Sequence, residues 1–77
     1  MNFETFMSLR FGEEYQSAEP KQVKKLKTQC VQELMQLFSL RQPSVWAWTQ
    51  NGIPADRAIE IVKYYGFDPV VLLMSGK

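Results

Sequence analysis

The side chains best equipped to recognise another molecule are crowded into one run, Arg41-Gln42-Pro43-Ser44-Val45-Trp46-Ala47-Trp48. An arginine guanidinium can pair with guanine O6 and N7 through two hydrogen bonds, and a glutamine amide can do the same with adenine N6 and N7. Ser44 is a small, adaptable donor and acceptor, and Trp46 or Ala47 offers apolar surface to a thymine methyl. Pro43 has no backbone donor, a loss without consequence in the first turn of a helix. A second group, Lys21, Lys24, Lys25 and Lys27, is the only dense basic cluster. Such a cluster suits phosphate contact and equally suits a solvated helix face.

Catalysis has no comparable constellation. The chain has no histidine and a single cysteine, Cys30, with no suitable base near it in the sequence. No carboxylate pair is spaced so as to compel an active site, and neither a glycine-rich phosphate loop nor a set of metal ligands is present. No enzymatic role, cofactor or metal is therefore expected. The lone cysteine excludes an internal disulfide and fits a reducing compartment. The first residues include Glu4 and no long apolar run, so no secretory leader is expected. The longest apolar run, residues 70–74, is far too short to span a bilayer. A cytoplasmic protein without membrane association is the expectation.

With 77 residues, 45% of them apolar and 22% charged, the chain suits one small domain with one modest core. The net charge of +1 hides an asymmetry. Residues 1–19 set Arg10 against Glu4, Glu13, Glu14 and Glu19, whereas residues 20–77 hold eight basic and four acidic side chains.

Glycine and proline divide the chain into units that read as helices. Apolar residues at 3, 6, 7, 9 and 11, followed by Gly12, predict a short helix over 2–11, although its Phe and Thr content also permits a strand. Residues 12–19 read as a polar loop. Pro20 suits a first helical position, and Val23, Leu26, Cys30, Leu34 and Leu37 then recur at three- and four-residue steps. That stripe permits one helix over 20–38, or two helices with Thr28 capping the second. Pro43 predicts a turn at 39–41 and a new helix from 42 or 43, which Asn51-Gly52 must end. Pro54 in a first turn, with Ile53 packing back onto it, opens the next helix. Its buried side is expected to carry Ala58, Ile59, Ile61, Val62 and Tyr65, with Gly66 as its stop. Asp68-Pro69 starts a last short helix over 70–74. No convincing run of paired strands appears. The expected fold is all-α, a compact four- to five-helix domain in which residues 20–77 hold the functional unit and residues 1–19 form an extension or arm.

On the central helix, Val45 and Trp48 are three apart and share a face, while Trp46 lies about 200° from Trp48 at 3.6 residues per turn. Burial of Val45 and Trp48 would leave Trp46 outward beside Gln42 and Ala47. Two short helices joined by a tight turn form a helix-turn-helix, whose second helix enters the DNA major groove with its N-terminal residues on the base edges. Here those helices would be 31–38 and 42–50.

The stretch "VQELMQLFSLRQPSVWAWTQNGIPADRAIEIVKYYGFDP" resembles the helix-turn-helix of the lambda-repressor-like superfamily, and within it the small Cro-type and YdaS-like phage regulators. The likeness covers residues 30–69, about half the chain, and is most specific from Gln42 to Ile61. It implies that Val45 and Trp48 are core positions. Arg41, Gln42, Ser44, Trp46 and Ala47 would face the groove, and Arg57 would approach the phosphate backbone. Three departures stand out: Met35 where alanine is usual, Ser39 in place of the turn glycine, and the bulk of Trp46. The family's first helix would be either "FETFMSLRFG" or, with the more usual spacing to the turn, "PKQVKKLK". The implied function is a sequence-specific DNA-binding regulator, a Cro-type phage or prophage repressor acting on a double-stranded operator as a homodimer. Residues 1–19 and 66–77 are the candidate dimer surfaces. A protein-binding antirepressor of the same shape, directed at a phage repressor, or the antitoxin of a toxin–antitoxin pair, is the alternative.

Overall fold

The computed structural model describes residues 1–74, and they are all-α. Six helices follow one another: α1 Phe3–Phe11, α2 Glu13–Gln16, α3 Pro20–Phe38, α4 Gln42–Asn51, α5 Ala55–Tyr65 and α6 Val71–Met74. Four of them exceed two turns, and α2 and α6 are single turns. Their ends have local causes. The Asn2 side chain accepts the Thr5 N–H at 2.7 Å and caps α1. Pro20 and Pro43 sit in the first turns of α3 and α4. Gly66, at φ 73°, ends α5 in the left-handed region. Asp68 takes the Val70 N–H on Oδ1 at 3.0 Å just ahead of α6. The last three residues of the candidate dimer segment 66–77 lie outside the described residues.

One core serves the whole molecule. Phe6, Met7, Val31, Leu34, Val45 and Ile61 are its largest fully buried side chains. α1 packs on both α3 and α4, and α3 packs on α4. Phe6 stands edge-on to Phe3, Tyr65 and Phe67, with ring centroids 5.9, 5.4 and 6.3 Å away. Such contacts add to the gain from burial alone.

The structure decides one point the sequence left open and departs from the reading at others. Of the two arrangements permitted for residues 20–38 it has the single helix, because nothing between Pro20 and Phe38 interrupts the backbone ladder. The Thr28 hydroxyl, expected as a possible cap, instead donates to the Lys24 carbonyl at 3.0 Å one turn back. The segment "PKQVKKLK" is thus the first half of α3, the helix that leads into the turn, and not a helix of its own. Residues 1–19 are more than an arm, since Met1, Phe3, Phe6 and Met7 are all buried in the common core. The stretch expected as loop contains α2, closed by the Ser17 hydroxyl on the Glu13 carbonyl at 2.8 Å. Pro54 is the cap residue of α5 rather than part of its first turn. Ile59, expected inside, is 44% exposed. Ala58, Ile61, Val62 and Tyr65 make the inward stripe of α5, and Ile59 stands about 100° off Ala58.

Candidate nucleic-acid interface

The turn between α3 and α4 is three residues, Ser39, Leu40 and Arg41. Ser39 takes the left-handed conformation, φ 54° and ψ 43°, and among the described residues it is the only non-glycine one with positive φ. The Ser39 and Leu40 N–H groups both donate to the Met35 carbonyl, the latter at 3.0 Å. This double closure stops α3 and turns the chain sharply. Met35 itself is half-buried at the edge of the core, as is Leu40.

α4 is fixed from below. Val45 is fully buried and Trp48 is 9% exposed. Trp48 meets Phe38, the last residue of α3, with ring centroids 5.9 Å apart and planes at 77°. The Arg57 guanidinium lies 4.7 Å from the centre of the Phe38 ring, so α3, α4 and α5 converge on one aromatic contact.

The opposite side of α4 is open. Arg41, Gln42, Pro43, Ser44, Trp46 and Ala47 are all exposed, Trp46 at 40%. They occupy the N-cap and the first turns of the helix. The Arg41 side chain makes no capping bond, and among the described residues no carboxylate is within ion-pairing reach of it. The structure therefore leaves six of the residues singled out in the sequence exposed together over the N-cap and first turns of α4, among them an uncommitted guanidinium and an indole.

The remaining four residues lie elsewhere. Arg57 is half-buried and lines an open groove of about 500 Å³ between α3 and α5, with Leu37, Phe38, Glu60, Lys63 and Tyr64. No α4 residue lines that groove. Lys21, Lys24 and Lys25 are exposed on the first half of α3. At 1.5 Å of rise per residue, Lys24 is roughly 22 Å along the axis from Ser39.

Sequence reasoning missed a polar cluster that braces the platform under α4. Arg10 donates from Nε to Glu33 Oε1 at 3.0 Å and from Nη2 to Glu33 Oε2 at 3.1 Å. The Tyr65 hydroxyl donates to Glu33 Oε1 at 2.8 Å, and Gln29 Nε2 donates to Oε2 at 3.2 Å. Burial alone would raise the Glu33 carboxyl, but the hydrogen bonds from Arg10, Tyr65 and Gln29 outweigh it and hold the group below the usual carboxylate range. The hydrogen bond to Glu33 raises Arg10 further above its ordinary value. Burial, then the bond to Glu33, pushes the Tyr65 phenol up. The only signal of this cluster in the sequence is that Glu33 is the sole carboxylate of α3. Cys30, just beneath, is fully buried, and burial pushes its thiol up to about 12, which suits a small core residue and not a nucleophile.

Among the described residues no helix is long and apolar enough to cross a membrane. Compared with known protein families, curated proteins and solved structures, the chain matches none.

Proposed function

We propose that this protein is a sequence-specific DNA-binding regulator that lays the open side of α4 in the major groove, in the manner of a small Cro-type phage repressor. One observation carries the reading. Arg41, Gln42, Ser44, Trp46 and Ala47 are presented together at the start of a helix that Val45 and Trp48 anchor from behind. Arg41 and Gln42 pair with base edges, Ser44 adapts, and Trp46 and Ala47 supply apolar contact to thymine methyls. Arg57 and the α3 lysines would contribute phosphate contacts that position the protein without reading sequence. A helix of ten residues reads few base pairs, so two copies on a two-fold symmetric operator complete the site. Such a protein works in the cytoplasm of the bacterial host.

The test is selection of bound duplexes from a random pool, followed by fluorescence anisotropy with the enriched duplex. An enriched motif with half-sites about one helical turn apart is expected. Removing two bidentate contacts worth about 1–3 kcal/mol each should weaken binding by the double variant Arg41→Ala, Gln42→Ala at least ~30-fold, with its thermal melt unchanged. Equal binding by that variant, or a pool that never enriches, rejects the groove assignment.

A second reading rests on Trp46. An indole 40% exposed on a helix surface is the kind of residue that anchors protein interfaces. An antirepressor or an antitoxin would use the same side of α4 on a protein target.

A further inference from the structure

The groove where α1, α2 and α6 meet has no part in the α4 reading and has a different chemistry. It encloses about 350 Å³ and is lined by Leu9, Tyr15 and Val71, with Glu4 among its polar lining residues. Val70 and Leu73, on either side of Val71 in the chain, are 48% and 85% exposed. Neither lines the groove itself, but both adjoin it through Val71 as exposed aliphatic surface, which small monomeric proteins ordinarily keep limited.

Among the described residues the exposed charges next to this groove are acidic. Glu4 lines it, Glu13 and Glu14 immediately precede the lining residue Tyr15 in α2, and Glu19 stands at the N-cap position of α3 without a side-chain bond; all four are exposed. The single basic residue of this segment, Arg10, is held by Glu33. No cation among the described residues pairs with any of the four glutamates. Burial, and then the charge of Glu4, raises the Tyr15 phenol, so its hydroxyl stays protonated as a donor. An apolar groove within an acidic surround repels nucleic-acid phosphates. It repels a second copy of itself as well, because a two-fold contact sets each patch against its like and brings the glutamates face to face. What it complements is positive charge carried on an apolar stem.

We propose that the α1–α2–α6 face docks a cationic amphipathic segment of another protein. Apolar side chains of that segment would fill the groove over Leu9, Tyr15 and Val71 and cover Val70 and Leu73, while its lysines or arginines meet Glu4, Glu13 and Glu14. This site shares no residue with the α4 surface, and it takes this face of segments 1–19 and 66–77 out of the dimer contact expected of them, leaving the pairing of two copies on DNA to another surface.

The test titrates the ¹⁵N-labelled full chain with a 15-residue helical peptide of leucine and lysine in an amphipathic pattern. A peptide of the same pattern with glutamate for lysine is the control. Saturable shifts at the amides of Leu9, Tyr15, Val71 and Leu73 with the lysine peptide, and none with the glutamate peptide, are expected. Leu73→Asp and Glu14→Lys change exposed side chains, so both variants should melt like the parent and each should weaken binding about tenfold. The proposal is overturned if the two peptides bind alike, if nothing saturates, or if the shifts centre on α3 and α4. Sedimentation that reveals self-association abolished by Leu73→Asp would overturn it too, by making a second copy the occupant.

Discussion

Arg10 and Glu33 stand 23 residues apart in the chain and meet as a two-pronged pair, Nε to Oε1 at 3.0 Å and Nη2 to Oε2 at 3.1 Å. The pair ties α1 to the middle of α3, and Tyr65 brings the end of α5 to the same carboxylate. Three helices that meet through apolar side chains alone could slide, and directional bonds fix their register. The platform on which α4 rests is set partly by this contact.

A pH dependence follows. The folded Glu33 carboxyl titrates below its ordinary value of 4.5. Its contribution is thus fully present above that value and disappears as pH falls through the lowered folded value. With the two side chains 34% and 25% exposed, solvent screening reduces what a buried pair would give, and Glu33→Gln should cost about 1–2 kcal/mol at pH 7. Urea unfolding of both proteins at pH 7 and pH 3 checks this. The gap should be largest at neutral pH and narrow at pH 3. A gap of the same size at both would place the effect in packing.

The turn predicts a gain in stability. Ser39 occupies the left-handed region at φ 54°, where a Cβ crowds the following carbonyl and only glycine sits without strain. Ser39 is exposed, and among the described residues its side chain makes no hydrogen bond. Ser39→Gly should stabilise the fold by about 0.5–1 kcal/mol, the relief being partly offset by the freer unfolded chain. A thermal melt a few degrees higher is the expected result. A lower melt would mean that the serine supports the turn in some other way.

These residues show what a sequence of this kind makes legible. Helix ends at Gly12, Pro20, Pro43, Asn51-Gly52 and Gly66 are local properties of the backbone, and the period of 3.6 alone separates Val45 and Trp48 from Trp46. One ambiguity was itself local: a threonine that caps a helix and one that bonds back to the carbonyl a turn earlier, as Thr28 does to Lys24, are the same residue type, so the sequence left α3 as one helix or two. Two things were not local. The burial of Phe3, Phe6 and Met7 depended on α3 and α4 offering a floor for α1. The longest-range bond of the Glu33 cluster joins residues 32 positions apart, a separation at which no periodicity survives. The candidate surface on α4 was readable because it depends on one short helix. The positions of Arg57 and the lysines relative to it were not, because they depend on how helices pack.

Val45 and Trp46 are neighbours in sequence with opposite surroundings, which allows a paired test of the two sides of α4. Val45 is fully buried, so Val45→Ala should cost about 2–3 kcal/mol through lost burial and the cavity left behind. Trp46 is 40% exposed, and Trp46→Ala should cost less than about 1 kcal/mol. Ligand binding should show the reverse order, with Trp46→Ala the more damaging once the folded fraction is matched. Chemical denaturation and anisotropy on the same samples measure both. If Trp46→Ala unfolds the protein, the indole is a structural residue and not a contact.

The lysines of α3 allow a test that distinguishes phosphate contact from a solvated face. Lys21, Lys24 and Lys25 are exposed and, being three and four residues apart, share one side of the helix. Any phosphates they meet lie well outside the base pairs under α4, because about 22 Å of helix separates Lys24 from the turn. Each phosphate neutralised contributes about 0.9 to the slope of log affinity against log salt. Replacing all three by alanine should therefore flatten that slope by up to about 2.7 while leaving the preferred duplex sequence unchanged. Replacing Arg41 and Gln42 should do the opposite, altering the preferred sequence with at most a small change in slope. Anisotropy titrations of each variant from 50 to about 200 mM salt separate the two behaviours over the range in which this dependence is steep. An unchanged slope in the triple lysine variant would assign that side of α3 to solvent and leave the α4 surface, with Arg57, to account for all contact with the duplex.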